Sequence, residues 1–214
     1  MFSIVSIAAE AIEFTADTYP NPKTVQGARE CNMRAVSNVC DPDQVLSESS
    51  RYRFNQELQQ MAKRTERVTG SFCDRQGFEP LLLIAHEGTQ ELADAINEKW
   101  NLDGHCKKSV IFFLSALDHS FYYSTEPDTG FDQTDFIAIK ISQESFLAEG
   151  NYTFALTNIF KQIGGAQNIQ VTSEDKETDY KNHHNATSAV ERTSLSTIVN
   201  SLVALSVLVP LMMN

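Results

Sequence analysis

The chain is 214 residues long, carries a net charge of −11 and is 42% hydrophobic, with a sequence pI near 4.8. This length fits one domain with additional segments, because domains usually contain about 100–200 residues. The excess of carboxylates argues against a nucleic-acid-binding surface, since phosphate binding needs clustered cations. It also argues against attachment to an acidic membrane leaflet through surface charge.

The two ends of the chain differ from its middle. Residues 195–213 contain no charged side chain, and as a helix these 19 residues would nearly match a hydrocarbon core of about 30 Å. We predict a hydrophobic tail that is either a GPI-attachment signal or a transmembrane helix, with a buried core helix as the third alternative. For a GPI signal, the lipid-attachment candidates are Asn185 and Ser188.

Three further segments follow from composition. Residues 1–18 hold a short apolar run without Lys or Arg, which indicates a signal region that is truncated, or else an ordinary helix. Residues 19–166 carry the periodic apolar patterns of a folded domain. Residues 167–194 are polar and lack periodicity, so we predict a stalk between the domain and the tail.

The middle of the chain predicts alternating helices and strands. Ser47 is a suitable N-cap for an amphipathic helix over residues 48–66. Three apolar runs predict strands, the first two covered on both faces and separated by a helix that Thr89 caps: residues 81–85, 110–114 and 121–123.

The remaining segments are less regular. Residues 13–45 have no clear periodicity, and residues 152–163 predict a final helix. The apolar run at residues 136–141 fits a strand or a helix on pattern alone, and we interpret it as strand-like. The order strand, helix, strand over residues 81–114 is a βαβ unit, and it predicts an α/β fold.

Four cysteines and two glycosylation sequons favour an oxidising compartment. The cysteine spacings do not resemble a zinc site, and an even count beside a membrane-directed tail favours disulfides. Three pairings are possible, of which we favour Cys31 with Cys40 and Cys73 with Cys106. The sequons at Asn151 and Asn185 predict glycosylation, which places the domain at the extracellular face of the plasma membrane.

Several motifs resemble one animal family. Residues 19–22, 31–34, 39–43 and 46–47 strongly resemble the opening of TPM domains of the modulator of levamisole receptor family. Further similar blocks follow in order, namely residues 52–58, 100–103, 106–110, 151–152 and 155–156. The resemblance spans about residues 19–165, and its most specific block runs from Cys31 to Asp43.

The resemblance implies a disulfide-bonded domain with a small mixed β-sheet flanked by helices. It makes residues 136–149 mostly helical, against the strand-like interpretation. It also implies a membrane-tethered, non-enzymatic auxiliary protein that modulates a ligand-gated, acetylcholine-type ion channel or another membrane receptor. The absence of a nucleophilic triad, a P-loop or a zinc motif in the sequence agrees with a protein that is not an enzyme and needs no cofactor.

Distant TPM domains are linked to Ca²⁺ and to phosphatase activity, so the alternative is a Ca²⁺-binding or phosphatase-like domain at the cell surface. Ca²⁺ needs several oxygen ligands that converge on one point. The candidate ligands are Asp41, Asp43, Asp118, Asp132 and Asp135. Each has a plainer role as a turn residue or as part of a solvated acidic loop.

Overall fold

The computed structural model describes residues 13–164. Seven α-helices, four strands and one 3₁₀ turn follow one another in this part of the chain. In order they are α1 (Val25–Glu30), β1 (Val39–Cys40), α2 (Glu48–Arg64), α3 (Phe72–Arg75), β2 (Glu79–Ala85), α4 (Gln90–Trp100), β3 (Ser109–Ser115), β4 (Ser120–Thr125), the 3₁₀ turn Pro127–Thr129, α5 (Gln133–Ile141), α6 (Glu144–Ala148) and α7 (Tyr152–Gln162).

The strands form one open mixed sheet in the order β1-β2-β3-β4. β1, β2 and β3 are parallel, with Leu82 opposite both Val39 and Phe112, and β4 returns antiparallel beside β3 as a hairpin. The three predicted strands and the mixed sheet are confirmed. The two-residue strand β1 is an addition, because two residues carry no readable periodicity.

Helices cover both faces of the sheet, which explains why β2 and β3 are apolar without interruption. Leu82 and Phe112 face a core built with α2, α5, α6 and α7. Leu83 and Phe113 face a second core built with Tyr19, α1 and α4. Successive side chains of a strand point to opposite faces, so a strand buried on both sides needs apolar residues at every position.

The predicted helix starts are confirmed. The Ser47 side chain accepts a hydrogen bond from Ser50 N–H at 3.2 Å, and the Thr89 side chain accepts one from Leu92 N–H at 3.1 Å. These bonds satisfy backbone donors that the first helical turn leaves free. The long amphipathic helix and the final helix each end within about two residues of their predicted ends, which is the usual uncertainty of helix termini.

Two expectations from the sequence are wrong. Residues 13–45 are not wholly irregular, since they contain α1 and β1. Residues 136–141 are not a strand but part of α5, as the family resemblance implied. Asp132 caps this helix, and Phe136 alone is fully buried there, because its ring stacks on Tyr123 with centroids 4.7 Å apart.

Tyr19 completes the edge of the sheet where β1 stops. On the side of β2 that faces β1, Leu82 N–H donates to Asn38 O at 2.8 Å. Ile84 lies two residues later in β2, so its backbone N–H and C=O point to that same side. Within residues 13–164, no strand pairs with Ile84 on that side. The Tyr19 hydroxyl donates to Ile84 O at 2.8 Å and accepts from Ile84 N–H at 2.9 Å, so this buried side chain replaces a missing backbone partner.

The segments predicted at the two ends lie largely outside the described residues. Residues 1–12 of the predicted signal region, the predicted stalk (residues 167–194) and the hydrophobic tail (residues 195–213) lie outside them. Of the predicted signal region, Phe14 packs against Tyr19 with ring centroids 4.9 Å apart. Among the helices within residues 13–164, none is long and apolar enough to cross a membrane.

Candidate functional site

The carboxyl ends of the parallel strands meet at one edge of the sheet, where open α/β sheets commonly bind ligands. Asp43 follows β1, His86 follows β2 and Asp118 follows β3. Two hydrogen bonds of 2.8 Å join their loops, one from His86 N–H to the Asp43 carboxylate and one from Leu117 N–H to His86 O. We call Asp43, His86 and Asp118 the carboxyl rim.

Asp41 lies just below this rim and is fully buried. Its carboxylate accepts hydrogen bonds from Val45 N–H and Leu46 N–H, both at 2.9 Å, and from Arg51 Nη1 at 3.3 Å. Burial raises the pKa of Asp41, although these hydrogen bonds oppose the rise. The hydrogen bonds of the carboxylate join the turn before α2 to that helix, so this predicted metal ligand has a structural role in the described fold.

Asp118 is exposed and accepts hydrogen bonds from its own hairpin. Ser120 N–H and the Tyr122 hydroxyl lie 3.4 Å and 3.3 Å from its two carboxylate oxygens. Partial burial raises the pKa of Asp118, but hydrogen bonds from Ser115 and Ser120 outweigh it, and the pKa falls below its usual value. Asp118 therefore presents a negative charge to solvent at neutral pH.

His119 joins the carboxyl rim to the start of α7. Its Nδ1 lies 2.6 Å from the Tyr152 hydroxyl, which donates to Ala116 O at 3.0 Å. Because a hydroxyl has one proton to donate, it accepts from Nδ1–H of His119. Burial and the Asp118 charge raise the pKa of Tyr152. Sequence reasoning missed this contact, since the two residues are far apart in the chain and match no motif.

The other two candidate ligands begin a helix and do not join the rim. Asp132 Oδ1 accepts from Thr134 N–H at 2.7 Å and from Asp135 N–H at 3.0 Å, which makes Asp132 the N-cap of α5. Asp135 lies in the first turn, where a negative charge is favourable. The sequence offered a solvated acidic loop as the plainer role of Asp132, and the structure instead places Asp132 at the start of a helix.

Within residues 13–164, the only group of three metal-ligating side chains whose ligand atoms lie within 4.8 Å of one another is Cys73, His105 and Cys106. Both sulfurs of this group are in a disulfide bond. The predicted carboxylate ligands are thus split between the turn before α2, the carboxyl rim and the cap of α5. The described part of the chain does not bring three of them together.

Both favoured disulfide pairings are confirmed. Cys31 bonds to Cys40, joining the end of α1 to β1 with Cα atoms 4.4 Å apart. Cys73 bonds to Cys106, joining α3 to the turn before β3 with Cα atoms 5.0 Å apart. The second bond closes a 33-residue separation, and chain-entropy arguments assign such a loop about 3–4 kcal/mol of stabilisation.

The glycosylation candidate Asn151 is exposed at the N-cap position of α7. The hydroxyl of Thr153, the third residue of its sequon, lies 3.1 Å from the Ser50 hydroxyl. Asn185 and Ser188, the other candidate modification sites, lie outside the described residues.

The comparisons identify the class of protein. The chain belongs to the modulator of levamisole receptor-1 family, whose model matches residues 14–119. Among solved structures, the N-terminal domain of a protein from P. gingivalis, determined by solution NMR, aligns over 71% of this chain and 89% of its own, with 16% identity and a TM-score of 0.48. No curated protein matches the sequence.

Proposed function

We propose that this protein is an extracellular auxiliary protein, tethered to the plasma membrane by its C-terminal tail, that modulates a ligand-gated ion channel of the acetylcholine type. The observation that carries this proposal is the family match over residues 14–119. That stretch contains both disulfides and all three parallel strands, so the match covers the parallel part of the folded domain.

An extracellular position is supported by the covalent chemistry of the domain. Within the described residues all four cysteines are paired and none is free, and disulfides persist mainly in oxidising compartments. Asn151 is exposed and open to modification in such a compartment.

Two of the candidate carboxylates already have structural roles, which favours a binding function over catalysis. The buried Asp41 carboxylate accepts hydrogen bonds that hold a turn, and Asp132 caps α5. Neither side chain is available to a substrate without loss of these contacts. A tethered binding domain gains effective concentration at the membrane, which suits lateral contact with a neighbouring receptor.

The test is to co-express the full chain with a levamisole-sensitive acetylcholine receptor and to record agonist-evoked currents. We expect the current to change and the receptor to be recovered with this protein in pull-downs. The matched control carries Val203→Arg and Val207→Arg in the tail, which disrupt membrane insertion and leave the domain unchanged. Unchanged currents with the native chain at the cell surface, or equal modulation by the tail variant, would refute the tethered modulator.

The form of the tether is tested separately with phosphatidylinositol-specific phospholipase C. Release of the protein from the cell surface would identify a lipid anchor, with Asn185 and Ser188 as attachment sites to compare. Retention would identify a membrane-spanning helix, which could also contact channel helices inside the bilayer.

A second candidate function is Ca²⁺ binding at the carboxyl rim. The observation that favours it is the pair of hydrogen bonds that hold the loops of Asp43 and Asp118 on either side of His86. Calorimetry of the full chain with Ca²⁺ tests this function. Binding at millimolar Ca²⁺ that Asp118→Asn weakens and Asp128→Asn leaves intact would support it, and no heat of binding would remove it.

A further inference from the structure

Two aromatic rings meet at the surface where α6 passes into α7. The rings of Phe146 in α6 and Phe154 in α7 have centroids 4.5 Å apart. Phe146 is half-buried against the core that contains α2 and α7, whereas Phe154 is 48% exposed. We call these two residues the aromatic pair. Removal of its exposed surface from water is favourable, roughly in proportion to the apolar area that is covered.

The turn between the two helices brings Asn151 to the aromatic pair. Gly150 N–H donates to Leu147 O at 2.9 Å, and Gly150 has a φ of 72°. Asn151 N–H donates to Phe146 O at 2.8 Å. These are the two bonds of a Schellman motif, in which the residue in the place of Asn151 often packs an apolar side chain on the residue in the place of Phe146. Here a polar asparagine occupies that place.

Asn151 is also the N-cap of α7, and Phe154 is the third residue of that helix. Side chains at these two positions lie on the same side of a helix start, since they reach each other's backbone in a capping box. The Asn151 side chain is exposed and, within residues 13–164, makes no hydrogen bond that caps α7. Its amide can therefore carry a modification beside the aromatic pair without loss of a helix cap.

We propose that the first sugar of an N-linked glycan on Asn151 packs on the aromatic pair and covers it. Asn151 and Thr153 form the sequon. A lipid-linked oligosaccharide pyrophosphate is the donor. The Asn151 Nδ2 atom bonds to C1 of the sugar, the bond from C1 to the pyrophosphate oxygen breaks, and one amide proton passes to solvent. One face of a pyranose ring carries C–H groups, whose partial positive charge suits the negative face of an aromatic ring.

A glycan on Asn151 suits the aromatic pair better than a separate protein partner. The sugar is covalently attached beside the rings, so its packing does not cost the translational and rotational freedom that a partner loses on binding. Once attached, it also shields the rings from other molecules. The inference rests on the proposed extracellular position of the domain, because N-linked glycans are added to secreted and cell-surface chains.

The test measures the Tm of the full chain, produced in animal cells that make high-mannose glycans and purified in neutral detergent. Asn185→Gln in every protein leaves the sequon of Asn151 as the only one in the sequence. Endoglycosidase H then trims the glycan to a single N-acetylglucosamine. We expect Asn151→Gln, which lacks this sugar, to have a Tm about 2–4 °C below that of the trimmed protein.

Phe154→Ser tests whether the aromatic pair receives the sugar. In that background Asn151→Gln should change the Tm by less than about 1 °C, because the contact is already lost. Phe72→Ser is the matched control, since it makes the same change at another exposed phenylalanine, on α3, and should leave the effect of Asn151→Gln intact. In NMR spectra the ring current should shift protons of the single sugar upfield, and Phe154→Ser should abolish that shift.

The contrary outcomes separate this inference from the proposed function. An equal effect of Asn151→Gln with and without Phe154 would overturn the inference, as would native chain at the cell surface with no sugar on Asn151. Neither result touches the extracellular position. A native chain that carries no glycan at Asn151 or Asn185 and never reaches the surface would overturn both. Receptor recovery that Phe154→Ser reduces and Asn151→Gln leaves unchanged would assign the aromatic pair to a protein contact instead.

Discussion

Removing one buried hydroxyl group tests how the edge of the sheet is completed. In Tyr19→Phe the ring stays in the second core, where it contacts Phe113 with centroids 5.6 Å apart, and only the hydroxyl is lost. The loss leaves the N–H and C=O of Ile84 without the partner that now bonds them at 2.9 Å and 2.8 Å. Both groups are buried, so water cannot replace the hydroxyl.

The expected loss in the free energy of unfolding follows from these two hydrogen bonds. An unsatisfied buried backbone group costs about 1–3 kcal/mol, and the carbonyl is the cheaper of the two to leave unpaired. We expect Tyr19→Phe to lower the free energy of unfolding by about 2–4 kcal/mol. In a protein of this size that corresponds to a fall in Tm of about 5–15 °C.

The assay is thermal unfolding of the oxidised full chain, followed by near-ultraviolet circular dichroism. Tyr52→Phe is the matched control, since its hydroxyl accepts only from the exposed Arg34 N–H at 3.2 Å, and water can take its place. That control should change stability by less than about 0.5 kcal/mol. If Tyr19→Phe cost no more than Tyr52→Phe, the idea that a side chain replaces a missing strand would be wrong.

Three more expectations test other parts of the fold. Asp41→Ala should destabilise by about 3–5 kcal/mol in denaturant titrations, because it leaves the buried Arg51 charge uncompensated, and unchanged stability would contradict that pairing. Gly88→Ala should cost about 1–3 kcal/mol, since its Cβ would lie 2.0 Å from the buried Phe113 ring, and an unaltered Tm would disprove the close contact. Burial raises the pKa of Tyr19 in the folded protein well above its usual value of 10.0. The contribution of Tyr19 to the free energy of unfolding is therefore fully present below about pH 10 and falls above it, where Tyr19 ionises in the unfolded chain but not in the folded one. Tyr19→Phe should flatten this alkaline decline, and an equal slope in both proteins would assign it to other groups.

Predictability from the sequence differed sharply between segments. β2 and β3 were readable because burial on both faces imposes uninterrupted apolar residues, and α2 was readable because Ser47 and the apolar spacing act locally. Residues 136–141 were not, since an apolar run of that length suits either a strand or a helix. The Asp132 cap and the packing of Phe136 on Tyr123 stabilise the helix, and the apolar pattern of the segment indicates neither of them.

The sequence by itself determined the α/β class, the main helix and strand positions and the family, because these depend on periodicity, caps and local motifs. Only the tertiary structure decided which of the candidate groups meet. It set Asp41 inside the fold and Asp132 at a helix start, and it placed Asp43 beside His86. Such meetings depend on how strands and loops pack across long separations, and no spacing along a single chain records that geometry.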